Sequence, residues 1–334
     1  MIIQSLKLKN FRNYELLNLT FHPVTNIFHG DNAQGKTNIL EAVYLAGTTK
    51  SHRGTKDRDM ISFGEEESHI EVKVLKNGVP FRIDIHLKKN SPKGAAINRM
   101  PVKRASELFG IINLVFFSPE DLNIIKNGPA QRRRFMDLEL SQLDKIYLNN
   151  LADYNRVVNQ RNRLLKEMAF QEKLKDTLEI WDMQLVRYGE RVMEGRKKFL
   201  REINEIVGDI HGKLTGGRER LVMEYEPSTG ELSLEEAVRR NRERDIRMKS
   251  TSAGPHRDDI CFKIKDMDIR KFGSQGQQRT AALSLKLAEI EIVKRVIHDT
   301  PVLLLDDVLS ELDKHRQNYL LDSIHDIQTL ITCT

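Results

Sequence analysis

Apolar positions change their period twice along the 334-residue chain, and the changes mark three stretches. In the first, β-rich runs at Ile2 to Leu8 and Thr25 to His29 precede a helical pattern that opens at Thr37. His69 to Leu75 and Phe81 to Leu87 alternate in character and flank Asn77-Gly78. That dipeptide supplies the positive φ angles of a tight turn, so an antiparallel hairpin is predicted. Ile111 to Phe117 is a compact apolar run of the kind that forms a buried strand, closed by the turn chemistry of Ser118-Pro119.

From about residue 130 to 211 β signals are sparse and apolar residues recur at helical spacing. Tyr147, Leu151, Tyr154, Val158, Leu165 and Met168 form one stripe; Leu174, Leu178, Trp181, Leu185, Tyr188 and Val192 form another. Two antiparallel helices turning near residues 169–173 are predicted, with the stripes packed on each other rather than on a cofactor. After about residue 250 strand character returns, in Pro301 to Leu305 and Leu330 to Cys333. The expected fold is α/β: a split domain over 1–125 and 250–334, its two halves completing one mixed sheet with flanking helices and an antiparallel patch, and an inserted helical lobe over 126–249.

Composition narrows the class. The chain is 39% hydrophobic and 31% charged, no apolar run reaches the ~18 residues a membrane span needs, and the opening MIIQSLKLKN lacks a signal peptide's apolar stretch. A cytoplasmic protein with no membrane partner is expected. Cys261 and Cys333 have no metal-like spacing, which argues against a zinc site or a disulfide framework. A net charge of +6 favours polyanionic partners without choosing among them.

Three stretches carry chemistry. Gly30-Asp31-Asn32-Ala33-Gln34-Gly35-Lys36-Thr37 is a complete phosphate-loop sequence between a predicted strand and a predicted helix. Its glycines let the backbone wrap phosphate, Lys36 reaches the β and γ phosphates, and Thr37 can ligate Mg²⁺, so ATP with Mg²⁺ is the expected cofactor. The run Val302 to Leu305 ends in Asp306-Asp307, where Asp306 would hold the metal and Asp307 would act as general base on the attacking water. The third stretch, Phe272 to Arg279, opens an apolar helix about 30 residues before the paired aspartates, and Ser274 to Gln277 resembles the S-x-G-Q signature of ABC-type ATPases.

LKLKNFRNYE, GDNAQGKTNILEA, Ser51-His52-Arg53, FFSPEDLNIIKNGPAQRRRFMD, SAGPHRDD and FGSQGQQRTAALSLKLAE, with VLLLDDVLSELD, span residues 6 to 313 in order. Together they resemble the RecF family of bacterial recombinational-repair ATPases, itself similar to the ATPase heads of SMC proteins. The resemblance implies an ABC/SMC-type P-loop head whose helical lobe holds a short antiparallel hairpin. It implies that Ser274, Gly276 and Gln277 touch the γ-phosphate held by a second subunit in an ATP-dependent homodimer. Ser310 to Asp313 resembles the D-loop that lines that interface. It also implies weak, DNA-stimulated ATP hydrolysis, binding to double-stranded DNA near single-strand junctions, and work with RecR and RecO in loading recombinase at gaps.

Three departures from the wider ABC pattern are visible. Asp307 stands where many such enzymes have Glu, LVFF leads into Ser118-Pro119-Glu120 without an obvious Q-loop glutamine, and Leu330 to Thr334 lacks a switch histidine. The last point raises the expectation of a tail beyond Thr334.

Two clusters are candidates for DNA backbone contact: Arg132, Arg133 and Arg134, and the segment Glu236 to Lys249, with six basic residues against three acidic. The alternatives are a P-loop kinase or transferase, an ABC transporter's nucleotide-binding subunit, and a purely structural SMC-like scaffold.

Overall fold

A computed structural model of the chain describes residues 1–31, 34–168 and 176–333. Two units can be distinguished, Met1–Asp121 with Leu285–Thr334, and Leu122–Ser284. In the first, β1 (Ile2–Phe11), β2 (Tyr14–Thr20) and β3 (Thr25–His29) lead into helix α1 (Lys36–Thr48), followed by β4 (Glu67–Lys76), β5 (Val79–Lys88), β6 (Ser91–Ile97), β7 (Met100–Pro101) and β8 (Leu114–Phe117). The second contains α2 (Leu122–Lys126), α3 (Pro129–Leu143), α4 (Lys145–Glu167), α5 (Leu178–Leu214), β9 (Leu221–Glu226), α6 (Leu234–Met248), β10 (Asp259–Ile264), β11 (Met267–Asp268), α7 (Ile269–Phe272) and the opening turns of α8 (Gln275–Ile297). From Leu285 the chain is back in the first unit, with the rest of α8, β12 (Val302–Asp306), α9 (Lys314–Ser323) and β13 (Thr329–Cys333).

Among the described residues the first unit holds two sheets. One is parallel, in the order β3-β13-β12-β8, with Ile331 beside Ile27 and Leu305 beside both Ile331 and Phe117. Its inner strands are almost wholly buried, which is why β12 reads as an unbroken apolar run rather than an alternation. The other follows the order β2-β1-β4-β5-β6-β7, with neighbouring strands antiparallel. Its central hairpin turns on Asn77 at φ 49° and Gly78 at φ 77°, the two positive angles that the dipeptide predicts.

Helix α1 packs on strands of both sheets, and every residue from Ile39 to Thr48 is buried. A helix enclosed in this way needs no polar face. A Cβ on Gly47 would lie 2.5 Å from Leu114 Cδ1, so glycine sets how closely α1 approaches β8.

In the second unit α4 and α5 run antiparallel, as the order of their contacts shows. Arg161 meets Asp182, Tyr154 faces Gly189, and Tyr147 reaches Arg196. Asp144 caps α4 by accepting from the N–H groups of Ile146 and Tyr147 at 2.7 and 3.1 Å. The turn read at 169–173, and Leu174 of the second stripe, lie outside the described residues.

Residues 250–284, read in the sequence with the split domain, group with the helical unit. The physical reason is strand pairing: β10 joins β9 and β11 in a separate antiparallel sheet.

Candidate nucleotide site

Between β3 and α1 the backbone turns on Gly30, at φ 146°, and Gly35, at φ 96°. A Cβ at Gly30 would sit 2.5 Å from Gln34 Oε1, and one at Gly35 would sit 2.5 Å from the Asn13 amide. Both positions therefore favour glycine for conformation, and Gly35 also for space, because the Asn13 amide is held in place by its own hydrogen bonds. Gly35 is the N-cap of α1 and offers no side-chain acceptor, so the helix begins with backbone N–H groups that favour an anion. Lys36 Nζ donates to the carbonyls of Gly30 and, at 3.0 Å, Asp31. Asn32 and Ala33 lie outside the described residues.

The acidic strand end meets this loop. Thr37 Oγ1 donates to Asp306 Oδ1 at 2.8 Å, joining residues 269 positions apart in sequence. Thr332 Oγ1 donates to the same oxygen at 2.7 Å. Asp306 is half-buried; Asp307 beside it is exposed and takes a left-handed φ of 53°. The Asp307 N–H points back to the hydroxyl and carbonyl of Thr332 at 3.2 and 3.3 Å, and Ser310 donates to its carbonyl at 2.8 Å. A hydroxyl and one carboxylate are hard oxygen donors, the set with which proteins supplement phosphate oxygens around Mg²⁺. Thr37 and Asp306 fit that ion.

Several residues around the loop escaped the motif reading. Glu41 on α1 is fully buried and accepts from Arg12 Nε and Nη2 at 2.8 and 2.7 Å and from the Ser51 hydroxyl, with Arg53 Nη1 at 3.8 Å. Burial alone would raise its pKa, but these hydrogen bonds and guanidinium charges outweigh burial and hold it below the usual carboxylate range. Asn13 donates to the Gln34 carbonyl at 3.1 Å and accepts from Asn38 at 2.8 Å, which in turn accepts from Arg53. The available signal was their place inside NFRNYE, GDNAQGKTNILEA and Ser51-His52-Arg53, where residue type alone does not reveal this network. Thr332 gave no signal, because a threonine in an apolar strand is ordinary.

The signature residues stand in the second unit. Ser274 and Gln277 bond reciprocally, Ser274 N–H to Gln277 Oε1 at 2.9 Å and Gln277 N–H to Ser274 Oγ at 3.2 Å, a capping box at the start of α8. Ser274, Gln275 and Gly276 are exposed, whereas Gln277 is half-buried and its amide is directed at Glu219.

The arginine cluster holds only in part as a surface: Arg134 is exposed, but Arg132 and Arg133 are turned to the protein. Arg132 is buried and forms a two-point pair with Asp259, at 2.6 and 3.0 Å, while Arg133 donates to the Asp258 carbonyl. A side chain committed to tying α3 to β10 is not offered to DNA. On α6, by contrast, Asp245 turns inward to Arg161, leaving Arg239, Arg240, Arg244 and Arg247 exposed. No described helix is long and apolar enough to cross a membrane.

Comparison with known proteins agrees with this geometry. A family model described as the RecF/RecN/SMC N terminal domain matches residues 2–334. A DNA replication and repair protein RecF from Lachnospira eligens is 64% identical, covering 100% of this chain and 93% of that protein. One from Clostridium perfringens is 44% identical with the same coverage. A solved structure of the recombination mediator protein RecF-ATP in the RecFOR pathway superposes with a TM-score of 0.95 at 36% identity, covering 100% of this chain and 92% of the other. The Smc head domain of Pyrococcus furiosus shares the fold, with a TM-score of 0.57 at 17% identity over 99% of this chain and 89% of that one. The chain therefore belongs to the RecF family of DNA replication and repair proteins, within the larger group that carries the RecF/RecN/SMC ABC-type ATPase fold.

Proposed function

We propose that the protein is an ATP-binding DNA replication and repair protein that works as a nucleotide-driven switch. ATP held by the phosphate loop of one copy meets the signature of a second copy, and the homodimer closes on double-stranded DNA near single-strand gaps and junctions. Slow, DNA-stimulated hydrolysis then releases it. RecO and RecR are the proposed co-workers in loading recombinase, after the RecFOR pathway to which the related RecF-ATP structure belongs.

The loop from Gly30 to Gln34, with Gly35, wraps the phosphates, and Lys36 pairs with the β and γ oxygens. Thr37 and Asp306 hold Mg²⁺, which when bound draws charge from the γ-phosphate. Asp307 takes the proton from water as the water oxygen bonds to the γ-phosphorus and the bond to the β,γ-bridging oxygen breaks. Asp307 is exposed and held by Ser310 and Thr332, which suits an occasional rather than a rapid base. Ser274, Gly276 and Gln277, with the first N–H groups of α8, form the surface that meets the partner's γ-phosphate, directly or as its frame. Those contacts end with hydrolysis, giving the two nucleotide states different affinities for the dimer.

The observation that supports this reading most is the 2.8 Å bond from Thr37 to Asp306, which places the loop and the acidic strand end at one point. The test is mass in solution by light scattering, with and without ATP, Mg²⁺ and short duplex DNA, for wild type, Lys36→Arg and Ser274→Arg. ATP is expected to double the mass, DNA to join the complex, and both variants to remain monomeric. Mass indifferent to ATP, with phosphate appearing on a small molecule, would end the switch reading.

A further inference from the structure

The signature's own glutamine is held from behind. Gln277 Nε2 donates to Glu219 Oε1 at 2.8 Å, and the other carboxylate oxygen lies 3.5 Å from His211 Nε2. His211 Nδ1 is 3.0 Å from Ser284 Oγ, which donates to the Thr280 carbonyl at 2.7 Å, and Thr280 Oγ1 donates to the Gly276 carbonyl at 2.8 Å. The chain of polar contacts thus begins and ends on the first turn of α8. His211 and Ser284 are wholly buried within it, and Thr280 is nearly so.

Glu219 itself is placed by local geometry. It follows a turn at Gly216 and Gly217, both at positive φ, and Gly217 N–H bonds back to Gly212 at the end of α5. Thr215 Oγ1 then bonds to the Glu219 N–H and carbonyl, both at 3.3 Å.

An amide facing a carboxylate must present its NH₂ group, because two acceptors repel. Glu219 therefore decides which way the Gln277 amide lies and leaves its oxygen for the Ser274 N–H. That bond in turn fixes the serine that begins the exposed face of Ser274, Gln275 and Gly276. We propose that Glu219 is a positioning residue of the signature, acting through Gln277. Gln277 then serves the γ-phosphate face as a frame rather than as a contact. This inference rests on the proposed function of the signature between two copies.

Two measurements separate the inference from that reading. Amide hydrogen exchange in the ATP-free protein reads positioning alone. Glu219→Ala is expected to speed exchange at Ser274 and Gln277 about tenfold or more, while Glu219→Gln, which keeps an acceptor at similar reach, stays close to wild type. Light scattering with ATP reads the use of that positioning. Glu219→Ala is expected to weaken the dimer about tenfold with monomer ATP affinity unchanged, and to add nothing on top of Gln277→Ala.

Unchanged exchange in Glu219→Ala, or a full additional loss in the double variant, overturns the proposal. So does a Glu219→Gln variant as impaired as Glu219→Ala. Faster exchange in a protein whose wild type ignores ATP keeps the positioning role and removes the two-copy reading instead.

Discussion

Thr332 shows how one hydroxyl can serve two aspartates. It donates to Asp306 and accepts from the Asp307 N–H, so Thr332→Val removes both of these hydroxyl bonds. ATP turnover is expected to fall about tenfold while ATP affinity changes little, which phosphate release and equilibrium titration would separate. His52 gives a pH signature. It packs against the rings of Tyr44 and Phe116, at centroid distances of 5.6 and 4.4 Å, and burial pushes its pKa down to about 4. A depressed pKa means that the unfolded chain takes up a proton first as pH falls below about 6.5, so the native state loses stability between there and about 4. The slope approaches about 1.4 kcal/mol per pH unit. Asp121 acts in the opposite sense, because burial pushes its pKa up to about 7 and its native form keeps a proton that rising pH removes. The difference in slope between wild type and His52→Gln, in urea unfolding from pH 7 to 4.5, isolates the histidine; equal slopes would refute the assignment.

At the scale of elements, the helical unit is fastened by buried arginines. Arg161, with no exposed side chain, reaches from α4 to Asp182 on α5 at 2.7 Å and Asp245 on α6 at 2.8 Å. Arg161→Met would strand Asp245 without its partner and destabilise this unit by about 3–5 kcal/mol, with partial recovery in Arg161→Met/Asp245→Asn, as thermal unfolding would reveal. None of this was legible in the sequence, where Arg161 interrupts an apolar stripe and reads as a solvated residue. What was legible depended on local rules: the Asn77-Gly78 hairpin, the glycine loop before Lys36, and the apolar run into Asp306. Partner choice across long separations was not. Periodicity could not tell that β10 pairs with β9, nor that Arg132 faces inward to Asp259. Helix α1 was detectable from its opening but not its environment, since a helix between two sheets lacks the amphipathic stripe that announces a face.

For the whole molecule, the charge of +6 matters only where it is free to meet an anion. Arg240, Arg244 and Arg247 lie on one stripe of α6, are exposed, and form no ion pair among the described residues. Replacing all three by Glu is expected to weaken duplex binding and reduce the dependence of log affinity on log salt by about 3, with unchanged thermal stability. Anisotropy titrations across a range of KCl would measure it; an unchanged slope would place the DNA surface elsewhere. Arg132→Glu should do the reverse, lowering stability because it breaks the Asp259 pair. The parallel sheet beneath the phosphate loop has a consequence for biosynthesis. Its outer strands β3 and β8 are made early, but the inner strands β12 and β13 that separate them span residues 302–333. During translation residues 122–284 emerge whole while β3 and β8 still have no strand between them. A growing or prematurely released chain therefore lacks the completed sheet beneath the phosphate loop, and only a polypeptide synthesised through β13 can assemble that platform.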